Sequence, residues 1–344
     1  MRSMFTPLCL LLGATAACAT TTAAPAPYSV HAQYVLGGPG GWDYLTLEPE
    51  AQRLYIARAD RVLVISTTDG ALLGTIPHTE GVHGVALAPD LGKGFISDGR
   101  ADAVTVFDLK TLEPIGAFAV SGHNPDAIVY DAASHRLVTF NGRSHDITIL
   151  DPATGAVVST VAAGGKPEFA QADGKGHIFF NIEDTAELSE LDAAAGQRIA
   201  TWKLPGCEEP TGLAFDIAHQ RLFTGCGNQQ LIVTDASSGR QVARLPIGAG
   251  SDGVEFDAAR ALVFSTNGAD GTLTVIHADN PDHYSVVATV PTQKSARTLA
   301  LDPRTHRVFT VAAEFGPVPE ATATDPHPRP PVLDGSFRVL VLGQ

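Results

Sequence analysis

The chain lacks the short motifs by which many enzymes are recognised. It has no phosphate-cradling glycine loop, no Gly-x-Ser-x-Gly elbow, no His-Glu-x-x-His pair and no Cys-x-x-Cys. These absences argue against P-loop, α/β-hydrolase, zinc-protease and dithiol chemistry, and the lack of Cys-x-x-Cys-His argues against covalent c-type haem. Positive charge is scarce: 23 Lys and Arg stand against 37 Asp and Glu, a formal net charge of −14. With no Lys/Arg cluster, so acidic a chain is a poor binder of nucleic acid and of anionic lipid. No apolar run approaches the roughly 20 residues of a membrane-spanning helix. Charged residues are only 17% and hydrophobic ones 44%, which describes a large-core globular protein and not a disordered one.

What the chain does have is a repeat. Residues Asp43, His83, Asp126, Glu168, Thr211, Asp252 and Arg297 each open a short apolar strand, at successive spacings of 40, 43, 42, 43, 41 and 45. A second apolar strand follows in each unit, such as Leu54–Ala57. A third ends at an acidic residue, as in Val104–Asp108, and a tight turn leads to a fourth, such as Val157–Val161. Four strands at a period of about 42 residues predict propeller blades. The third-strand aspartates Asp108, Asp151, Asp192 and Asp235 have a structural reading. Gly155, Gly196 and Gly239 follow the last three by four residues, so a short acceptor and a positive-φ residue make the hairpin turn.

The last unit supplies three strands, Thr298–Pro303, Arg307–Ala312 and Phe337–Leu342, while Tyr28–Val35 forms an unassigned strand before the first unit. The expectation is an all-β, seven-bladed β-propeller with four-stranded blades, in which the N-terminal strand closes the last blade and removes free edges. It is one domain, residues 27–344. The paired motifs Leu54–Ala57 with Val62–Ile65, and Leu137–Asn141 with Ile147–Asp151, together with Gly164-Gly165-Lys166-Pro167 between blades, resemble the YVTN-repeat or YncE-like family of bacterial extracytoplasmic propellers, a WD40-like architecture. The resemblance covers residues 28–344. Blades one and four depart from it: Ser66 replaces the aspartate, and Asn181 sits one position early. The family implies export but no single reaction, so function has to be argued from the site.

Residues 1–26 read as a signal peptide, with Arg2 as the positive region, Leu8–Leu12 as the apolar centre and small residues from Gly13. Two cleavage readings stay open. Ala17-Cys18-Ala19 suits a signal peptidase, whereas Ala16-Ala17-Cys18 resembles a lipobox that would lipidate Cys18. The protein is accordingly expected to be periplasmic or secreted, or an outer-membrane lipoprotein. Cys207 lies between blades four and five and Cys226 ends a second strand of blade five. Both positions open on one face of a propeller, so a Cys207–Cys226 disulfide is expected in an oxidising compartment. The alternative is two buried thiols.

The seven strand openers should ring the channel mouth. Four are carboxylates, Asp43, Asp126, Glu168 and Asp252; Arg297 is the single built-in cation and His83 adds an imidazole, with His123 and His145 on nearby loops. Three readings compete for Asp43, His83, Asp126, Glu168, Asp252 and Arg297. They solvate a wet tunnel; or the four carboxylates hold a divalent cation, Ca or Mg, as hard ions prefer oxygen ligands; or Arg297 holds an anionic substrate while a carboxylate or His83 acts as base. A Pro-rich loop at 314–335 interrupts the last blade on the same face, and its six prolines, among them Pro326, exclude a regular ladder. It would lid the channel, present a partner epitope or merely be solvated; His327 and Arg329 belong to it. Trp42 is read as lining the mouth or packing between blades, and Trp202 as covering a blade edge. The expected function is a monomeric binding or scaffolding module for a protein or small-molecule ligand at the channel mouth. The alternative is a lactonase-like, metal-assisted hydrolase or lyase there.

Overall fold

The protein is described from a computed structural model, covering residues 27–322 and 328–344. The signal segment with Cys18, and loop residues 323–327 with Pro326 and His327, lie outside the described residues.

Why these segments become strands is visible in their burial. Second and third strands, such as Arg53–Arg58 and Arg61–Ser66, are buried on both faces and read as continuous apolar runs. Fourth strands such as Val157–Ala162 alternate between exposed and half-buried positions, the period-2 pattern of an outer edge with one wet side. The result is seven antiparallel four-stranded sheets, and the buried residues form clusters between neighbouring blades.

The turn between third and fourth strands behaves as its chemistry requires. Asp151 Oδ1 accepts the N–H groups of Ala153 (2.9 Å) and Thr154 (2.8 Å), and Gly155 adopts φ +75°. A Cβ at Gly155 would also lie 2.1 Å from the Phe118 ring of the preceding blade, so glycine is required twice over. In blade one Ser66 substitutes for the aspartate, its Oγ accepting the Thr68 N–H at 3.2 Å. In blade two Leu112 takes the strained position at φ +64°.

Ring closure follows the expectation. Strand Ser29–Val35 pairs antiparallel with Arg338–Gly343 and becomes the outer strand of the blade completed by Arg307–Ala312 and Leu299–Asp302. The glycine-rich connection that follows wraps the guanidinium of Arg58. This fully buried side chain donates to the carbonyls of Gly37, Gly38, Gly40 and Gly41 and lies 3.6 Å above the Phe337 ring.

Asn181 is explained by its displaced register. Asn141 and Asn267 end their second strands and staple their own hairpins, Asn141 Nδ2 donating to Asp146 Oδ1 (2.7 Å) and Thr148 Oγ1 (2.9 Å). One position earlier a side chain points to the opposite face, and Asn181 Nδ2 instead reaches the Thr211 carbonyl of blade five at 2.8 Å. Cys207 and Cys226 are bonded, with Cα atoms 5.4 Å apart.

The described residues of the Pro-rich loop form no regular ladder, but one isolated bridge braces its base. Its two ends pair: Phe315 bridges Val332, Gly316 N–H donates to Pro331 O at 2.9 Å, and Leu333 N–H donates to Glu314 O at 2.8 Å. A proline lacks the donor but keeps the carbonyl, so Pro331 serves the bridge as acceptor. Trp42 is buried, stacked on Phe315 (5.9 Å) and packed against Phe337 (5.3 Å); of its two readings, packing between blades holds. Trp202 lies half-buried on the outer strand Gln197–Lys203, against the blade-four and blade-five core.

Candidate functional site at the channel mouth

Every innermost strand starts at the same end of the channel, so its opening residues share one face. His83, Asp126, Glu168, Thr211 and Asp252 are second in their strands; Asp43 and Arg297 stand two residues before theirs. Backbone braces from neighbouring strands hold the ring. Ser97 Oγ donates to Asp126 O (2.6 Å), Thr298 Oγ1 to Asp43 O (2.9 Å) and Thr266 Oγ1 to Arg297 O. Thr211 turns its hydroxyl to the Ser251 carbonyl at 3.0 Å and adds no charge.

The carboxylates divide among three cations. His83 Nδ1 lies 2.6 Å from Asp43 Oδ2 and 3.7 Å from Asp126 Oδ1. Arg297 Nε donates to Asp252 Oδ2 at 2.7 Å, and its NH2 donates to the Trp42 carbonyl at 2.7 Å, 3.6 Å from Asp43 Oδ1. Lys166 Nζ lies 2.7 Å from Glu168 Oε1 and also donates to Glu183. Arg297 is therefore not the single built-in cation. Lys166 precedes Glu168 by two residues, which in extended chain places both side chains on one side; that spacing was the available signal. Glu183, at the end of the adjacent second strand, carried none.

Their titration follows from burial and crowding. Desolvation lowers the His83 imidazole, but the Asp43 hydrogen bond and the Asp126 and Glu168 charges outweigh it and raise the group to about 9. Burial raises Asp126, opposed by His83 and aided by Asp43 and Asp252. Glu168 is raised by burial and by Asp126, against the pull of Lys166; Asp252 is raised by burial, against Arg297. Burial and then the Asp126, Glu168, Asp43 and Asp252 charges hold the Tyr44 phenol well above its usual range. Tyr44 meets Phe169 edge-on at 4.9 Å, and the two rings lie between the mouth and the channel below.

Among the described residues, the group whose donor atoms converge as metal ligands would is Asp43, His83 and Asp126, all within 4.8 Å. Glu168 and Asp252, expected in the same cation site, are held on Lys166 and Arg297 instead. A metal taking His83 Nδ1 would have to displace a proton held up to about 9. His123 does not join this group: its Nδ1 pairs with Asp102 at 2.8 Å, well exposed on the rim. His145 occupies a turn at φ +56°.

Beside the mouth, the stalk of the Pro-rich loop presents Phe315, Val318 and Leu333 at 44, 63 and 42% exposure. A groove of about 620 Å³ separates it from Gln293, Lys294 and Ser295.

No protein-family model matches the chain, and no curated protein matches it. Solved structures are similar in fold. A structure of U3-55K superimposes with a TM-score of 0.75 at 11% identity, covering 91% of this chain and 99% of that one. The RRP9 WD40 repeats give 0.74 at 11% identity, covering 90% and 97%. A chain of the mitotic checkpoint complex gives 0.74 at 15% identity, covering 99% of both. At such identities the likeness is one of fold alone: a seven-bladed propeller similar to WD40 proteins.

Proposed function

We propose that this chain is an exported, monomeric binding module of the YVTN or YncE-like type, which engages a ligand or protein partner on its channel-mouth face. The observation that carries the reading is the exposed Phe315, Val318 and Leu333 on the Pro-rich loop. Their stalk is anchored on buried Trp42, beside a mouth whose acids already have cationic partners. Apolar side chains held out on a braced stalk leave their surface in water until a partner covers it. A self-neutralised mouth offers orientation and rim hydrogen bonds more than a strong field. Replacing residues 315–333 by a two-residue turn removes all three apolar side chains and leaves the last blade's strands intact. The expected outcome is a cooperative melt with loss of partner capture from an extract of exported proteins. Equal capture by the shortened protein overturns the proposal.

A second reading, a metal-assisted hydrolase or lyase, is favoured by one observation, the convergence of Asp43, His83 and Asp126. Metal content of chelator-free protein, with melts before and after EDTA and with added Ca, Mg and Zn, tests it. A melt indifferent to EDTA and to all three cations ends this reading, whereas a stoichiometric, stabilising metal directs a lactone and ester screen at Asp126→Asn.

A further inference from the structure

Beyond the Tyr44 and Phe169 rings, on the far side from the mouth, the channel opens into a cavity of about 490 Å³. That is the size range of small-molecule sites. It ends between Pro49 and Pro303, near turns that join first to second strands, so it faces away from the charged ring. Its walls are mostly apolar strand residues, with the rings of Tyr44, Phe169 and Tyr130 among them.

One residue breaks the pattern. The repeat fixes an equivalent position in all seven innermost strands, paired across to the second strand: Thr46↔Tyr55, Ala86↔Phe95, Val129↔Val138, Gln171↔Phe179, Ala214↔Phe223, Glu255↔Phe264 and Ala300↔Phe309. Six blades place a neutral residue there. Its two other polar members are engaged, Thr46 Oγ1 donating to Val85 O at 2.8 Å and Gln171 Nε2 to Leu213 O at 3.1 Å. Blade six places Glu255, which lines the cavity and has no hydrogen-bond or ion-pair partner among the described residues. Burial alone, with no neighbouring charge, pushes its carboxyl up to about 8.

An unpaired, half-buried carboxylate among mostly apolar walls is costly unless a cation meets it, and the described residues supply none. Aromatic rings sharing a cavity with a single carboxylate are suited to an ammonium group, which gains from both. We propose that this cavity is a second binding site, for a small organic monocation: an amine or quaternary ammonium with an apolar body, its charge on Glu255 and its body against Phe169 and Tyr130. A metal ion finds only one carboxylate here, and an anion finds a repelling one.

Calorimetric titration of the full chain with phenyltrimethylammonium, 2-phenylethylamine and the neutral 2-phenylethanol tests the site. Both cations are expected to bind, at least about tenfold more tightly than the alcohol. Glu255→Gln is expected to remove that preference, while Asp126→Asn at the mouth keeps it. Should Glu255→Gln fail to fold, nuclear Overhauser contacts between the ammonium methyls and the Phe169 and Tyr130 rings of the unaltered protein take its place. Binding of the alcohol as tightly as the amines overturns the proposal. So do silence to both cations at millimolar concentration, unchanged binding in Glu255→Gln, and loss of binding in Asp126→Asn.

Discussion

Replacing Arg58 by methionine should loosen the seam that closes the ring. Arg58 ends the second strand of blade one, and the carbonyls it binds belong to the connection between the N-terminal strand and blade one. Four hydrogen bonds from a charged donor contribute roughly 6–12 kcal/mol. Two of them are long, at 3.3 and 3.4 Å, which favours the lower end. Against this stands the burial of the cation. Its pKa falls from the usual guanidinium range to about 10, chiefly by desolvation and then by Arg61, a penalty of about 3 kcal/mol. The Phe337 contact returns about 1 kcal/mol. A net loss of about 4 kcal/mol is expected, large for one substitution, while Arg58→Lys should retain part because an ammonium cannot span all four acceptors. Urea unfolding gives the free energy, and hydrogen exchange locates it: amides of Ser29–Val35 should lose protection before those of blades three to five. A change below about 1 kcal/mol with unaltered protection of that strand would refute the reasoning, showing that water replaces the guanidinium at little cost.

Other outcomes follow from the same physics. Glu255 is raised from 4.5 to about 8 in the fold, so its penalty is absent at acid pH and grows as pH rises from about 4.5 to about 8, to at most about 5 kcal/mol. Glu255→Gln should therefore melt above the parent at pH 8 and alike at pH 4, and identical pH profiles would disprove this. His83 is raised from 6.5 to about 9, so its ion pair stabilises fully below about pH 6.5 and is lost as pH climbs through about 9, by up to about 3 kcal/mol. Imidazole NMR titration should show the high value, and His83→Gln should flatten the alkaline decline. The Cys207–Cys226 bond closes a sequence separation of 19, which corresponds to about 3 kcal/mol of loop entropy. The double serine variant should lose about that much in urea unfolding.

The extent to which the sequence was legible depends on how local each signal is. The Asp151-to-Gly155 turn was readable because its donors, acceptor and positive φ lie within five residues. The closing strand was readable from an arithmetic deficit in the last blade, and the pairing of Cys207 with Cys226 from two loops known to share a face. Lys166 was present in the text as part of a linker motif, yet its partnership with Glu168 and Glu183 went unread because a lysine after two glycines usually belongs to solvent. The stalk of the Pro-rich loop was hidden for a similar reason: proline removes donors, and the acceptor role of Pro331 needs Gly316 opposite it.

A period of about 42 residues, a strand left over before the first unit and a strand missing from the last were enough to determine seven blades, their strand order and the face on which the ring residues gather. Those are consequences of chain connectivity, which a sequence carries completely. Only closure in three dimensions decided which acid meets which cation, that Arg58 clamps the seam, and that Glu255 stands in the channel without a partner among the described residues. Such facts depend on the azimuth of each side chain around a ring closed by residues some 300 positions apart, such as Ser29 and Gly343, and electrostatic partnership is a matter of ångströms across that ring.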